Sequence, residues 1–255
     1  MKLNTDTLEP VRLVVNSNLQ YTTRLARSVG EIRAAQELRF QVFNLELNEG
    51  FEQSYTTGRD EDAFDTVCDH LIVEHQPSAT IVGTYRMQSG NTAVRLGYYS
   101  AQEFELEGFE PYRSEIIELG RACVHPQHRN MIVLGLLWKG VIDYAKRHSG
   151  RYLIGCSSMT TQDPAVGATA YADMCRKHLA PPAWRARPLA SHVCPLTQLS
   201  AEPVKIPKLL RAYLSLGATI CGPPALDRQF KTIDFLTLLD LEDMPLLARQ
   251  RLFGT

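Results

Sequence analysis

No stretch of this chain approaches the roughly 20 consecutive apolar residues that cross a bilayer, and its first residues lack the basic-then-apolar plan of a secretory leader. The expectation is a cytoplasmic protein, with contact at the inner membrane face left open. A net charge of −1, from 27 basic and 28 acidic residues, removes the global electrostatic case for nucleic acid as a partner. The six cysteines, Cys68, Cys123, Cys156, Cys175, Cys194 and Cys221, include no C-x-x-C pair. They read as free thiols of a reducing compartment, with neither a disulfide framework nor a structural zinc site. Also missing are a G-x-S-x-G elbow and any H-E-x-x-H spacing among the seven histidines, so serine-hydrolase and zinc-peptidase chemistry have no motif and no metal is expected. Internal repeats and low-complexity tracts are absent too.

What remains is ordinary globular material: 255 residues, 44% hydrophobic and 22% charged, enough for one large domain over 1–255. Apolar groups at Ile32, Ala35, Leu38, Val42 and Leu45, with Phe40, Phe43 and Leu47, predict a helix over 30–47 that puts Arg39 and Phe43 on the same face. From Asn48 to Asp69 the glycines and the acidic run read as a solvated loop. Residues 70–74 and 80–87 read as a hairpin, 100–107 as a short helix, and 116–124 as a strand. A helix over 131–148, capped by Asn130 and closed by Gly150, then leads to a strand at 152–156. Strand, helix and strand in that order form a βαβ-like unit, which requires parallel pairing. Residues 163–178 read as helical, about 180–205 as a surface excursion, Pro207 to Gly217 as a helix and 234–241 as a last strand. The fold class is α/β.

Chemistry concentrates between Ile116 and Asn130. A buried strand delivers Glu118 and Arg121 to its end, and a short basic loop then opens a helix. Backbone N–H groups of residues 129–132, with Arg129, can hold a phosphate there, because a helix N-terminus favours anions. An acid/base group beside an anion site suits acyl transfer.

The run Val124-His125-Pro126-Gln127-His128-Arg129-Asn130 followed by a helix resembles the pantetheine-binding segment of the GNAT N-acyltransferase superfamily. Asn130, Ile132 and Leu134 stand where that superfamily has glycines. The single phosphodiester of a carrier-protein pantetheine needs less of that cradle than a coenzyme A pyrophosphate does. Leu38 to Phe43, Asp60 to Asp65 with Asp69, Gly83 to Arg86 and Glu118 to Arg121 resemble, in order, the signature positions of acyl-homoserine-lactone synthases. Ile154 to Ser158, His178 to Pro182, Tyr213 to Ala218 and Asp227 to Phe230 with Asp234 resemble instead the hemolysin-like ornithine N-acyltransferases of ornithine-lipid synthesis. The resemblance spans about 24–241.

It implies a GNAT-like fold, a central mixed sheet flanked by helices with a C-terminal elaboration. The implied activity moves a (3-hydroxy)fatty acyl group from acyl carrier protein to the α-amine of an amino acid, ornithine first, giving a lyso-ornithine lipid. The donor is the 4′-phosphopantetheine thioester, with acyl-coenzyme A as the alternative and no permanently bound cofactor. Glu118 is the candidate base, directly or through water, the other reading being an ion pair with Arg121 or Arg39. Arg39, Arg86 and Arg121 either grip the acceptor carboxylate or neutralise the acidic loop. Asp62, Asp65 and Asp69 are their partners, and that loop or Asp227 can meet the ornithine side chain. Phe43 joins this acceptor end. Tyr213, four residues before Gly217, is either the acid toward the leaving thiolate or core. Ser157 and Ser158 line an acyl channel or make turns, while Arg129 and Asn130 meet the donor. The basic, Trp-containing segment from His178 to Arg187 suits lipid headgroups or the acidic carrier protein. Competing readings are another acceptor such as glycine, a lactone synthase, and a membrane-lytic protein without enzymatic activity. Oligomeric state is open.

Overall fold

The computed structural model describes residues 20–246 and 250. In chain order the main elements are β1 (Tyr21–Leu25), α1 (Val29–Phe40), α2 (Ser54–Thr57), β2 (Asp69–His75), β3 (Thr80–Ser89), β4 (Ile116–Val124), α3 (Met131–Arg147), β5 (Tyr152–Met159), α4 (Pro164–His178), α5 (Lys208–Ser215), β6 (Thr219–Ile220), β7 (Ala225–Asp227) and β8 (Thr232–Asp240). All eight strands share one sheet, ordered β1-β2-β3-β4-β5-β8-β6, with β7 also on β8. Pairing is antiparallel except between β4 and β5, where α3 supplies the crossover.

Local chemistry explains most boundaries. The Ser28 side chain caps α1 through the Glu31 amide, and Asn130 accepts from the amides of Ile132 and Val133 to start α3. Pro164 begins α4 behind its Asp163 cap, and Gly217, at φ 97°, stops the chain after α5. Gly150 does not end α3 in the expected way. His148 caps that helix and Ser149 takes the left-handed φ of 54°. Gly150 is small because a Cβ there would lie 2.3 Å from Ile117 Cγ1. The helix predicted over 30–47 is also in two parts. After Phe40 it widens into a π turn, Gln41–Glu46, that accommodates one extra residue.

Two further expectations need correcting. The segment 180–205 is not merely an excursion: Ala186 and Cys194 are buried, and backbone hydrogen bonds from Ala186 to Cys221 and from Leu189 to Glu103 knit it to its neighbours. Trp184 stacks on Tyr112 and Tyr152, with ring centroids 4.3 and 4.5 Å away, so it is packing material rather than an anchor for headgroups. No helix among the described residues is long and apolar enough to cross a membrane.

The feature that positions the site is a fork between β4 and β5. Their parallel pairing covers only Ile116, Ile117 and Glu118, opposite Tyr152, Leu153 and Ile154. Beyond it β4 stays with β3 while β5 follows β8, so two strand edges diverge with unpaired backbone groups facing the gap. Opposite β3 the register jumps, and Arg121 and Ala122 bulge out where Tyr85 is the only residue facing them. Arg121 sits at φ 50°, a conformation uncommon outside glycine and often found beside active sites. Gly155 stands at the apex, where a Cβ would lie 2.2 Å from the Leu119 carbonyl oxygen. Gly155→Ala should therefore force the strands apart and cost on the order of 1–3 kcal/mol of stability, read by urea denaturation. Unchanged stability would show that the apex has slack.

Candidate active site

The fork opens into a cavity of about 340 Å³. Leu119, Gly120, Arg121 and Ala122 form one wall and Ile154 to Ser158 the other, with Trp138, Leu210, Tyr213 and Leu239 making its apolar body. Of the residues singled out from sequence, Phe43, Arg86, Glu118, Arg121, Ser157, Ser158 and Tyr213 reach this cavity. Arg39, Asp62 and Asp65 stand behind it. Asp69 is elsewhere, accepting a 2.8 Å hydrogen bond from the Tyr144 hydroxyl.

The acidic run is not a solvated loop. Asp60 and Asp65 are buried, and they interlock with three arginines. Arg39, fully buried, reaches Asp60 at 2.8 Å and Asp65 at 2.6 Å. Arg86 reaches Asp62 at 2.6 Å and Asp65 at 3.0 Å. Arg121 reaches Asp60 at 3.2 Å and Asp62 at 3.4 Å. Three positive and three negative charges thus balance. Asp62 also caps the short turn Ala63–Thr66, where Asp65 completes a capping box. Burial works against the charge on Asp65, yet Arg39 and Arg86 hold its carboxyl well below the usual carboxylate range.

Arg121 alone of the three projects from the bulge. Its guanidinium carbon lies 4.4 Å from the Phe230 ring centroid and 4.7 Å from that of Tyr99. Nε and Nη2 are engaged by Asp60, Asp62 and the Tyr99 hydroxyl, whereas Nη1 makes no hydrogen bond to a described residue. A free N–H pair on a desolvated guanidinium is suited to a carboxylate.

Glu118 pairs with neither Arg121 nor Arg39. Its Oε1 accepts from the Ser100 amide (2.8 Å) and hydroxyl (2.7 Å), and its Oε2 from Gln88 Nε2 (2.6 Å) and the Tyr99 amide (2.8 Å). Four donors fill both oxygens. The carboxylate therefore anchors the Tyr99–Ser100 turn, and through it the Tyr99 ring beside Arg121.

Tyr213 hydrogen-bonds the Tyr85 hydroxyl and packs edge-on against Trp138. Burial, with the neighbouring Tyr85 hydroxyl, pushes the Tyr213 phenol well above its ordinary value. Ser157 Oγ meets Thr237 Oγ1 at 3.2 Å. Arg129 and Asn130 do not line the cavity. Arg129 makes two 2.6 Å bonds to Glu46 and one to the Val124 carbonyl, and Asn130 is occupied as the cap of α3.

Of the acids at the far end of the cavity, sequence reasoning named Asp227 and quoted Asp234 in a motif, but passed over Glu49 and Glu103. Glu49 and Asp234 line the cavity, whereas Asp227 does not and stands with Glu103 beside Asp234. Burial, opposed by a hydrogen bond from Thr160 and reinforced by Asp234, pushes the Glu49 carboxyl up to about 7. Asp234 was visible in the family motif, and also as an acid inside the mostly apolar run of β8.

A sheet that forks between parallel strands, with a bulged strand, a crossover helix and an apolar cavity at the fork, is a GNAT-like fold. The acetyltransferase (GNAT) domain model matches residues 38–139. Among solved structures, the fold resembles FeeM, an N-acyl amino acid synthase from uncultured soil microbes (TM-score 0.53, 13% identity, 90% of this chain and 97% of that one). It also resembles the AHL synthase LasI (TM-score 0.50, 12% identity, 92% and 95%). More specifically, the chain belongs to the family of L-ornithine N(α)-acyltransferases. It is 36% identical over 243 residues to the Brucella abortus protein of that name, covering 86% of this chain and 84% of its relative. To the one from Rhodobacter capsulatus it is 32% identical over 238 residues, covering 89% and 92%.

The ion network makes a stability prediction. Asp65→Ala leaves Arg39 and Arg86 short of a buried partner and should cost about 3–5 kcal/mol in urea denaturation. The folded-state value of Asp65 lies below the unfolded one, so its charge stabilises the protein above about pH 4. That contribution is lost as pH falls further. An Asp65→Ala variant with wild-type stability and the same acid limb would refute the assignment.

Proposed function

We propose that this enzyme transfers a 3-hydroxyfatty acyl group from the 4′-phosphopantetheine thioester of acyl carrier protein to the α-amine of ornithine, forming a lyso-ornithine lipid. The observation that carries the reading is the β4–β5 fork, whose apolar cavity ends at a buried guanidinium. The names of the relatives supply ornithine. An extended pantetheine arm can pair its amides with the diverging strand edges, as a peptide adds to a sheet edge. The acyl chain then lies among Trp138, Leu210 and Leu239, and Arg121 Nη1 receives the acceptor carboxylate.

The neutral α-amine attacks the thioester carbonyl carbon. An N–C bond forms, the C–S bond breaks, and the proton lost by nitrogen ends on sulfur. Tyr213, its phenol pushed by burial well above the ordinary value, is a weaker acid than a thiol. Its contribution is a hydrogen bond to the sulfur as charge develops there, not the proton itself. Glu118, its oxygens filled by four donors, acts by fixing the Tyr99–Ser100 turn and hence the acceptor, rather than as a direct base.

For the donor, the closed state of the α3 N-terminus favours carrier protein. Asn130 occupies two of its amides and Glu46 holds Arg129, which leaves less for a coenzyme A pyrophosphate than for one phosphodiester. Exposed Arg185 and Arg187 give the anionic carrier or the membrane surface, where an amphiphilic product leaves, a basic contact.

Incubating purified protein with 3-hydroxyacyl carrier protein, or the matching acyl-coenzyme A, and a panel of amino acids should yield N-acylornithine by mass spectrometry, faster from the carrier protein. No N-acylated product from either donor would end the proposal. Glu118→Gln should lower kcat/KM at least roughly tenfold, mainly by raising KM for the amino acid, with the acid limb of the kcat–pH profile retained. Loss of that limb would return Glu118 to the role of base. Tyr213→Phe should slow turnover about 5- to 10-fold, the worth of one hydrogen bond. A thousandfold loss would make it the proton donor.

A further inference from the structure

Behind Asp234 the cavity wall contains a group of charges without a matching cation. Glu103, Asp227 and Asp234 each present a carboxylate oxygen, and these oxygens lie within 4.8 Å of one another. The residues are 2%, 5% and 3% exposed. None is ion-paired with a described lysine, arginine or histidine, although every acid of the Asp60–Asp65 network is. Asp227 spends Oδ1 on the amides of Gln229 and Phe230. Glu103 Oε2 and Asp234 Oδ1 are buried without a hydrogen-bond donor among the described residues, although the Asp234 carboxyl lies within reach of Ser158, Thr232 and the Glu103 carboxyl. Burial and the mutual repulsion of these acids push Glu103 well above, and Asp234 above, the usual carboxylate range. Such a group is costly to bury unless protons or a cation enter it.

We propose that Glu103, Asp227 and Asp234 form the subsite that receives the side-chain ammonium of the acceptor amino acid. The assignment rests on the proposed acceptor chemistry and extends it to the residues that select for a second positive charge. Position supports it: Asp234 and Arg121 line the same cavity. Phe230 links the two ends, its ring 4.4 Å from the Arg121 guanidinium and its amide 2.9 Å from Asp227 Oδ1. An amino acid with its carboxylate on Arg121 can lay a short methylene chain along that ring and carry its terminal ammonium to the acids. Stoichiometry supports it too. An ammonium has three N–H donors, matching three carboxylates, whereas calcium wants six to eight oxygens. An ammonium placed among these oxygens favours their charged form and offsets the repulsion between them.

The test compares ornithine with 2-aminopentanoic acid, the same molecule without its terminal amine. Wild type should favour ornithine in kcat/KM by at least about 100-fold, since a site built for a polar group rejects an analogue lacking it. Asp234→Asn, and separately Glu103→Gln, should lower kcat/KM for ornithine at least 30-fold while changing that for 2-aminopentanoic acid less than about threefold. Both variants relieve like-charge repulsion, so thermal melting should show them folded and no less stable. Equal losses for the two acceptors would overturn the subsite, as would a wild type indifferent between them. Calorimetry of the metal-free wild type with each amino acid reads the subsite separately from catalysis. Equal or undetectable binding of the two overturns it, and so does binding of Mg²⁺ or Ca²⁺ that depends on Asp234 and that ornithine fails to displace. Absence of acylation alongside selective ornithine binding would instead remove the acyl-transfer reading and leave the subsite standing.

Discussion

Six side chains hold the wall around Arg121 together: Arg39, Arg86 and Arg121 against Asp60, Asp62 and Asp65. They come from α1, β3, β4 and the connection between α1 and β2, elements that share no backbone ladder except β3 with β4. Burying ions is expensive, and the network is tolerable because its charges cancel and most of its donors find acceptors. Its return is placement. Arg121 keeps a strained bulge conformation with one nitrogen free, because the other two are gripped by fixed carboxylates and its faces by Tyr99 and Phe230.

The cavity therefore has two electrostatic ends of different construction. One is neutral in sum, rigid and offers a single free guanidinium nitrogen. The other, around Asp234, has an excess of acid and no paired cation among the described residues, and in the reading proposed above the substrate ammonium supplies one. An apolar body of Trp138, Leu210 and Leu239 lines the same cavity, beside strand edges that stand ready for an extended arm. For the proposed substrates, carboxylate, amine, side-chain ammonium and acyl chain would each meet a different kind of surface, so that orientation follows from chemistry.

Much of this was legible in the sequence, and the gaps have causes. The hairpin, β4, α3, α4 and α5 follow from periodicity and capping, and the parallel β4–β5 pair follows from their order. β1, β6 and β7 were invisible, being two to five residues long, and β1 is held by a partner distant in the chain. Arg39, Glu118 and Arg121 stood out because charges inside apolar runs demand an explanation. The acidic loop was half legible: its composition read as solvated, yet Asp62 and Asp65 were also named as partners of the arginines, which fold onto the loop from 21 to 61 residues away along the chain. Glu103 gave no sign at all. It lies in an irregular stretch, and only tertiary structure brings it beside Asp227 and Asp234.

The π turn at Gln41–Glu46 has a consequence for how this family can vary. One residue rotates an α-helix by about 100°, and the turn absorbs that rotation between Arg39, which must face Asp60 and Asp65, and Phe43, which must face the cavity. Removing a residue here would straighten the helix and leave one of the two side chains pointing the wrong way. Length in this segment is thus fixed more tightly than identity. Relatives that share the site can differ at exposed positions such as Gln41 and Leu45, but their alignments should carry no gap between the arginine and the phenylalanine.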